Sequence, residues 1–372
     1  MKKSKFFMML LAALCTFGIV VDVNALQTTD TTLPETVNRV TGATFKHDQS
    51  YPNGDSTSRI IRSVGKVGEE EKYILYCSDF TNHSISNATL TKDTKMDYGI
   101  AYILMNSYPT KTLANGATAT ATGTDCTNAN EMVNIWITQS AIWGYQGVLS
   151  SDLLISNDLA YYPTADITGN FCSMSENLKG STLWNGYVSG LISSAKAVKD
   201  PADSTLSVTG GDGWTKTDDG YKSSLISVAP SSSEASYSAY SLTLEGAPDG
   251  VKVYTEAGED ITSKLDNITA GTKVYVFVPS EQAKKGPKFT LKASTTITYN
   301  AAYKYVDKTT NHQPSVLVGP ETKNIEGAIS LNVIPDTASS ISNSIYFVGV
   351  LILLCGAGII YANVKPKKQA NE

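Results

Sequence analysis

The sequence predicts a mainly β protein with some helix, an α+β chain of two domains between two apolar ends. Three observations carry this. The chain has 372 residues, more than one ordinary domain uses. A Pro/Asp/Ser stretch, Lys199-Asp200-Pro201-Ala202-Asp203-Ser204, divides a region of mixed helical and strand patterns from a region of short strands. Each end carries an uncharged apolar run, Phe6–Val21 and Ile341–Val364. The expected layout is a signal peptide over 1–25, a first domain over 26–203, a β-sandwich over 204–333 and an anchoring segment over 334–372.

Composition narrows the function. Charged residues are only 17%, yet 20 Tyr, 9 Phe and 4 Trp can fill cores, so the low charge does not signal disorder. Three His, and five Cys without paired spacing, argue against a zinc site, and His47 and His312 have no neighbours in sequence that would make them ligands. A net charge of −5 leaves no basic footprint for nucleic acid. No metal and no cofactor is expected.

The N-terminus has the three parts of a secretory signal: Met1-Lys2-Lys3-Ser4-Lys5, the apolar run, and Val23-Asn24-Ala25 as the cleavage site after Ala25. Near the other end, the core Ile345–Ala362 is long and apolar enough to cross a bilayer. Lys365, Lys367 and Lys368 follow it, so the tail is cytoplasmic and the bulk of the chain lies outside the cell. Just before the span stands Ile334-Pro335-Asp336-Thr337-Ala338. This pentapeptide, span and basic tail resemble the sorting signal of Gram-positive wall proteins. The resemblance implies that sortase cuts after Thr337 and joins the chain to the cell wall. Ile334 stands where that signal has Leu, and Ala338 where it has Gly. A plain single-pass membrane anchor is the alternative, and either one holds the protein at the cell surface. Trimming both ends removes six Lys, Asp22 and Glu372, which takes the net charge from −5 to −9. Such an ectodomain does not favour anionic surfaces.

After the linker, β-rich runs recur about every ten residues. They are Leu225–Val228, Tyr237–Leu244, Val251–Tyr254, Lys273–Val278, Phe289–Ala293, Ala302–Val306 and Ile329–Val333. Pro248-Asp249-Gly250 and Ala270-Gly271 are turn signals between them. The spacing reads as an Ig-like β-sandwich, whose expected job is spacing or support.

The first region has clearer punctuation. Tyr73-Ile74-Leu75-Tyr76-Cys77 reads as a strand ending at Ser78-Asp79. Tyr98–Met105 is a buried helix or strand ending at Tyr108-Pro109. Thr110–Gly123, rich in Thr, Ala and Gly, reads as a flexible surface loop. Leu183, Tyr187, Leu191 and Ala195 recur every four residues, an amphipathic helix stopped by Pro201.

Glu131–Tyr145 is the informative segment. Met132, Ile135, Trp136, Gln139 and Trp143 share one face of a helix, with Asn128 a candidate cap and Gly144 a candidate end. Gln139 is out of place there. Burying a primary amide costs a few kcal/mol unless its four hydrogen-bonding sites find partners. A backbone hydrogen bond is one answer. A covalent one is attack by a cysteine thiolate on the carboxamide carbon, which expels ammonia and leaves an internal thioester. Held in contact, the two weak reactants gain effective concentration.

Thr138-Gln139-Ser140-Ala141-Ile142-Trp143 resembles the Thr-Gln-x-Ala signature of the thioester domains of Gram-positive surface adhesins. Tyr76-Cys77-Ser78-Asp79 looks like that family's reactive-Cys motif. Tyr102–Pro109 resembles the apolar segment between the two, with Ser107 where Gly is common. The resemblance covers about residues 40–200. It implies a β-rich domain with a helical insertion and a bond between Cys77 and Gln139. It also implies acyl transfer to a partner amine, a Lys on a host surface or matrix protein, in a single-use reaction rather than turnover. Tyr76, Trp143 and Tyr145 are candidates for shielding the bond, and Thr138 and Ala141 for fit around it. If Gln139 uses Cys77, the remaining ectodomain cysteines, Cys126 and Cys172, can pair, which an extracellular location permits. Two other readings stay open: a noncovalent surface binding or stalk protein, and a cysteine acyl-transfer enzyme using Cys77 with His83.

Overall fold

The strands, in chain order, are β1 (Thr36–Phe45), β2 (Ile61–Val67), β3 (Glu70–Cys77), β4 (Ala88–Lys95), β5 (Ala119–Thr120), β6 (Ala160–Tyr162) and β7 (Cys172–Met174). After the linker come β8 (Leu206–Gly210), β9 (Trp214–Lys216), β10 (Gly220–Ser223), β11 (Ile226–Pro230), β12 (Ala239–Glu245), β13 (Lys252–Thr255), β14 (Ile268–Thr269), β15 (Val274–Pro279), β16 (Lys288–Val306) and β17 (Ser315–Asn332). The main helices are α1 (Tyr98–Met105), α2 (Ala129–Tyr145) and α3 (Ser189–Ala197), the last preceded by a π-helical turn, Trp184–Val188. They are seen in a computed structural model that describes residues 32–45, 60–80, 86–150, 158–164, 167, 169–175, 178–310 and 312–334. The signal peptide 1–25, His83, Pro335–Ala338 and the candidate span 345–362 lie outside the described residues. Among the described residues no helix is long and apolar enough to cross a membrane.

The described residues up to Lys199 pack with Asn300–Glu321 into one unit, and Asp200–Tyr299 pack with residues 322–334 into another. The chain therefore returns to its first unit, and residues 300–321 are not part of the second, where the sequence reading had put them. Strand pairing explains the return. Ser315 and Val316 pair with Cys77 and Tyr76, and Tyr303 and Val306 pair with Lys95 and Thr91. Such partners lie more than 200 positions apart, and no local pattern encodes them.

In the first unit the ladder β1–β2–β3 continues through β17 and β16 to β4, which pairs again with β1. The ring closes into a barrel-like sheet, and closure removes sheet edges. Strand β3 shows both surfaces of this wall. Tyr73 and Leu75 join Leu33, Val37, Leu90, Tyr305 and Leu317 in one cluster, while Ile74 and Tyr76 join the helices in another. Successive side chains of a strand point to opposite faces, so a run buried at every position means that both faces are covered. Gly319 is required here, since a Cβ would lie 2.4 Å from Leu33 Cγ.

The helices supply the second layer. Helix α2 is buried at every position from Met132 to Gly144, so its buried surface is wider than the single face read from the sequence. Asn128 flanks the helix without capping it; its Oδ1 instead accepts from the Tyr161 hydroxyl at 2.6 Å. Gly144 does not end it. A Cβ there would lie 2.5 Å from Ile192 Cδ1, so Gly144 serves close helix contact, and the reversal comes at Gly147 with φ of 78°. Tyr98–Met105 is a helix, with Asp97 Oδ1 accepting from Gly99 N at 2.8 Å.

Among its described residues the second unit is antiparallel strand apart from two short helical turns, Pro201–Asp203 and Ser280–Ala283. One sheet runs β8–β11–β15–β10–β9 with β13 on β15, and β12 pairs with β14 and β16. Leu331 and Ile226 crowd Gly211, which brings β17 onto β11. Phe289–Ala293 and Ala302–Val306, read as separate strands, belong to one strand of 19 residues. Small Ser and Thr side chains hid the middle of it, but buried and more exposed positions alternate from Lys288 to Ala301, through that middle.

Candidate functional site

Cys77 is the last residue of β3, and Gln139 lies in the middle of α2. The structure brings them together. Cys77 N donates to Gln139 Oε1 at 2.7 Å, and Gln139 Nε2 donates to Cys77 O at 2.9 Å. The side-chain amide thus docks against the Cys77 peptide from both sides, although the two residues are 62 positions apart. At 4% exposure Gln139 is buried, and this pairing meets part of its desolvation cost.

The thiol is held on its other side. Cys77 Sγ donates to Asp79 O at 2.7 Å, and Asp79 N donates back to the sulfur at 3.3 Å. The Ser78–Asp79 turn is itself fixed: Ser78 N donates to Pro314 O at 3.1 Å, Gln146 Nε2 to Ser78 O at 3.0 Å and Gln313 Nε2 to Asp79 O at 3.0 Å. Burial drives the Cys77 thiol well above the usual cysteine range. The Asp79 backbone N–H opposes that shift, the Asp79 carboxylate adds to it, and Trp143 and Arg39 oppose it.

The motif residues line this contact. The Tyr76 hydroxyl donates to Tyr108 O at 2.7 Å, tying the strand end to the turn after α1. Thr138 Oγ1 donates to Asn134 O at 2.9 Å and accepts from Tyr108 N at 3.2 Å. Ala141 is fully buried. Trp143 packs edge-on against Phe80, with ring centroids 4.8 Å apart. Its buried indole N–H has no hydrogen-bond partner among the described residues, and it lies close enough to Cys77 to favour the thiolate. A thiolate accepts hydrogen bonds more strongly than a thiol. The Tyr145 hydroxyl donates to Asp97 Oδ1, and Gly99 has no Cβ because the Tyr145 ring occupies that space.

Cys126 and Cys172 are bonded to each other, with Cα atoms 5.8 Å apart. Cys77 is the free cysteine among the described residues. Ile334 is exposed, and the remainder of the pentapeptide lies outside the described residues.

Four residues were missed by sequence reasoning: Arg39, Gln313, Gln146 and Asn134. Arg39 and Gln313 reach the site through strand pairing and carry no local signal. Asn134 could have been found, since a second primary amide one turn before Gln139 poses the same burial problem. Asn134 pins the Thr110–Gly123 stretch, which is therefore not a free surface loop. Its Oδ1 accepts from Leu113 N and Ala114 N, and its Nδ2 donates to Ala114 O.

The helices thus cover a barrel-like sheet, and a cysteine and a glutamine amide meet where they join. Residues 44–162, which contain both Cys77 and Gln139, match the family model of the thioester domain. Among solved structures the chain is similar to the Bacillus anthracis TIE protein, with 17% identity and a TM-score of 0.53. That match covers 80% of this chain and 48% of the other, so the chain spans about half the length of that relative. The thioester domain of the Enterococcus faecium TIE86 protein also matches, at 16% identity and a TM-score of 0.49, over 82% of this chain and 98% of that one. No curated protein matches.

Proposed function

We propose that this protein is a bacterial surface adhesin that attaches covalently to an amine through a thioester between Cys77 and Gln139. The observation that carries the reading is the docking of the Gln139 amide on the Cys77 peptide. That pose prepares each atom of the reaction. Oε1, where negative charge develops as sulfur attacks Cδ, already receives the Cys77 N–H, which acts as an oxyanion donor. Nε2, which departs as ammonia, is held by Cys77 O. The S–Cδ bond forms, the Cδ–N bond breaks, and the thiol proton leaves on ammonia. In the second reaction a lysine amine attacks Cδ, Cys77 departs, and an amide remains. The burial of Gln139 and Trp143 supports protection of the ester from water until a target arrives.

The amine belongs, in this reading, to a Lys of a host surface or matrix protein. Each molecule reacts once, so the protein is a binder and not a turnover enzyme. Secretion by the N-terminal signal, sortase processing at Ile334–Ala338 or retention by the 345–362 span, and an Ig-like second unit acting as a stalk complete the proposal. They rest on the sequence patterns and on the likeness to thioester domains. The competing reading, a noncovalent binder with the same fold, draws on the amide's being hydrogen-bonded without any covalent step.

Intact mass separates the two. A thioester-bearing chain is lighter than its processed sequence by one ammonia and takes up methylamine. A mass equal to the full sequence, unchanged by methylamine, would exclude covalent attachment.

A further inference from the structure

Arg39, on β1, is 1% exposed. A buried guanidinium is costly unless charge and hydrogen bonds compensate it. Its Nη1 donates to Gln313 O at 2.5 Å. The Gln313 side chain donates to Asp79 O at 3.0 Å, and that same carbonyl accepts the Cys77 S–H at 2.7 Å. A continuous polar chain therefore joins the guanidinium to the sulfur through a residue of the returning segment.

We infer that Arg39 is a positioning residue for the Cys77 thiol: it fixes the Gln313–Asp79 clamp on the sulfur and places a permanent cation behind it. Charge builds on sulfur twice, when it attacks Gln139 Cδ and when an amine displaces it. The purpose rests on the proposed thioester chemistry; the clamp stands on the hydrogen bonds alone. The charged groups around the sulfur are few. On its own turn the Asp79 carboxylate disfavours thiolate, and from β1 Arg39 favours it. Asp307 favours the Arg39 cation in turn, and its own carboxyl is held far below its usual value by Thr309, Thr310 and His312. Burial lowers the Arg39 guanidinium, while Cys77 and Asp307 raise it again.

The test uses the full chain carrying Gln139→Ala, so that the thiol is free whether or not the parent forms a thioester. Iodoacetamide labelling is followed at the Cys77-bearing peptide by mass, which separates it from Cys15 and Cys355. Adding Arg39→Gln slows labelling at a fixed pH by on the order of three- to tenfold, the loss of thiolate being partly offset by greater nucleophilicity. Arg39→Lys restores most of the rate. Gln313→Leu, which cuts the link to Asp79 but keeps the cation, slows labelling less than Arg39→Gln. A merely structural role gives the opposite sign, because a loosened site exposes the thiol and speeds labelling. Unchanged or faster labelling in Arg39→Gln overturns the inference. Should that variant not fold, an unchanged or faster rate in Gln313→Leu does so. The ammonia loss of the parent chain is scored separately: if it is absent while labelling still depends on Arg39, the adhesin chemistry fails and the clamp stands.

Discussion

Helix α2 carries two buried primary amides, Asn134 and Gln139, and their surroundings differ in kind. Asn134 has all four hydrogen-bonding positions filled by backbone: it accepts from Leu113 N and Ala114 N at 2.8 and 3.0 Å and donates to Ala114 O and Asn130 O at 2.7 Å each. Gln139 has two, both to the backbone of one residue, and that residue carries a thiol. One amide is saturated and serves the fold. The other is half-satisfied and bonded to the backbone of a cysteine. Burial alone does not separate them, since both are nearly inaccessible. What separates them is whether the bonding complement is complete and what chemistry its partner owns.

The sharpest break of this comparison exchanges the two losses. Gln139→Ala or Cys77→Ala abolishes the ammonia loss and the methylamine uptake entirely. Asn134→Ala keeps both where the chain folds, but leaves buried backbone groups at Leu113 and Ala114 without partners. The expected cost is about 3 kcal/mol of unfolding free energy. Denaturant unfolding in a Cys77→Ala background removes any covalent bond from the measurement. There, Gln139→Ala should cost clearly less than Asn134→Ala; the reverse order would mean that Gln139 is the structural amide.

The comparison also shows what the sequence could disclose. The Cys77–Gln139 pairing was legible because both residues sit in short local motifs, and Gln139 stood out against an apolar helical pattern. The helix, the β3 strand and most strands of the second unit were legible from period alone. The clamp was not. Arg39 and Gln313 are 274 positions apart, and they meet only because β17 and β16 return to close the barrel. The loop 110–123 was misjudged for a related reason. Its composition is that of a free loop, and its order comes from Asn130 and Asn134 on a different element. Local signals report what a segment is; they do not report what another segment does to it.

A second set of experiments sharpens the thiol side of the comparison through rate. If the proposed thioester is present, ammonia opens it and regenerates Gln139, and removing the ammonia lets the bond re-form, so its formation can be timed by mass. Burial holds the Cys77 thiol above its usual range, so it is protonated at neutral pH, and raising the pH increases the thiolate fraction. With thiolate attack limiting the rate, formation should therefore accelerate by about tenfold per pH unit between pH 6 and 8, while the fraction of thiolate is small. A rate that levels off near pH 7 would mean a thiol of depressed pKa, and with it a different electrostatic account of the site.

The smallest expected effect isolates a single hydrogen. Trp143→Phe keeps an aromatic ring against Phe80 but removes the indole N–H that favours a thiolate at Cys77. The aromatic packing supports the fold with or without that N–H. The hydrogen contributes only as charge accumulates on Cys77, because a thiolate accepts more strongly than a thiol. Thioester re-formation should slow by roughly three- to tenfold, the size expected for one hydrogen bond of about 1 kcal/mol net. The pH slope should stay the same, and the hydrolysis rate of the finished thioester should change little if the ring is what excludes water. If hydrolysis rises sharply while formation is unaffected, Trp143 acts as a shield and its N–H has no part in the attack.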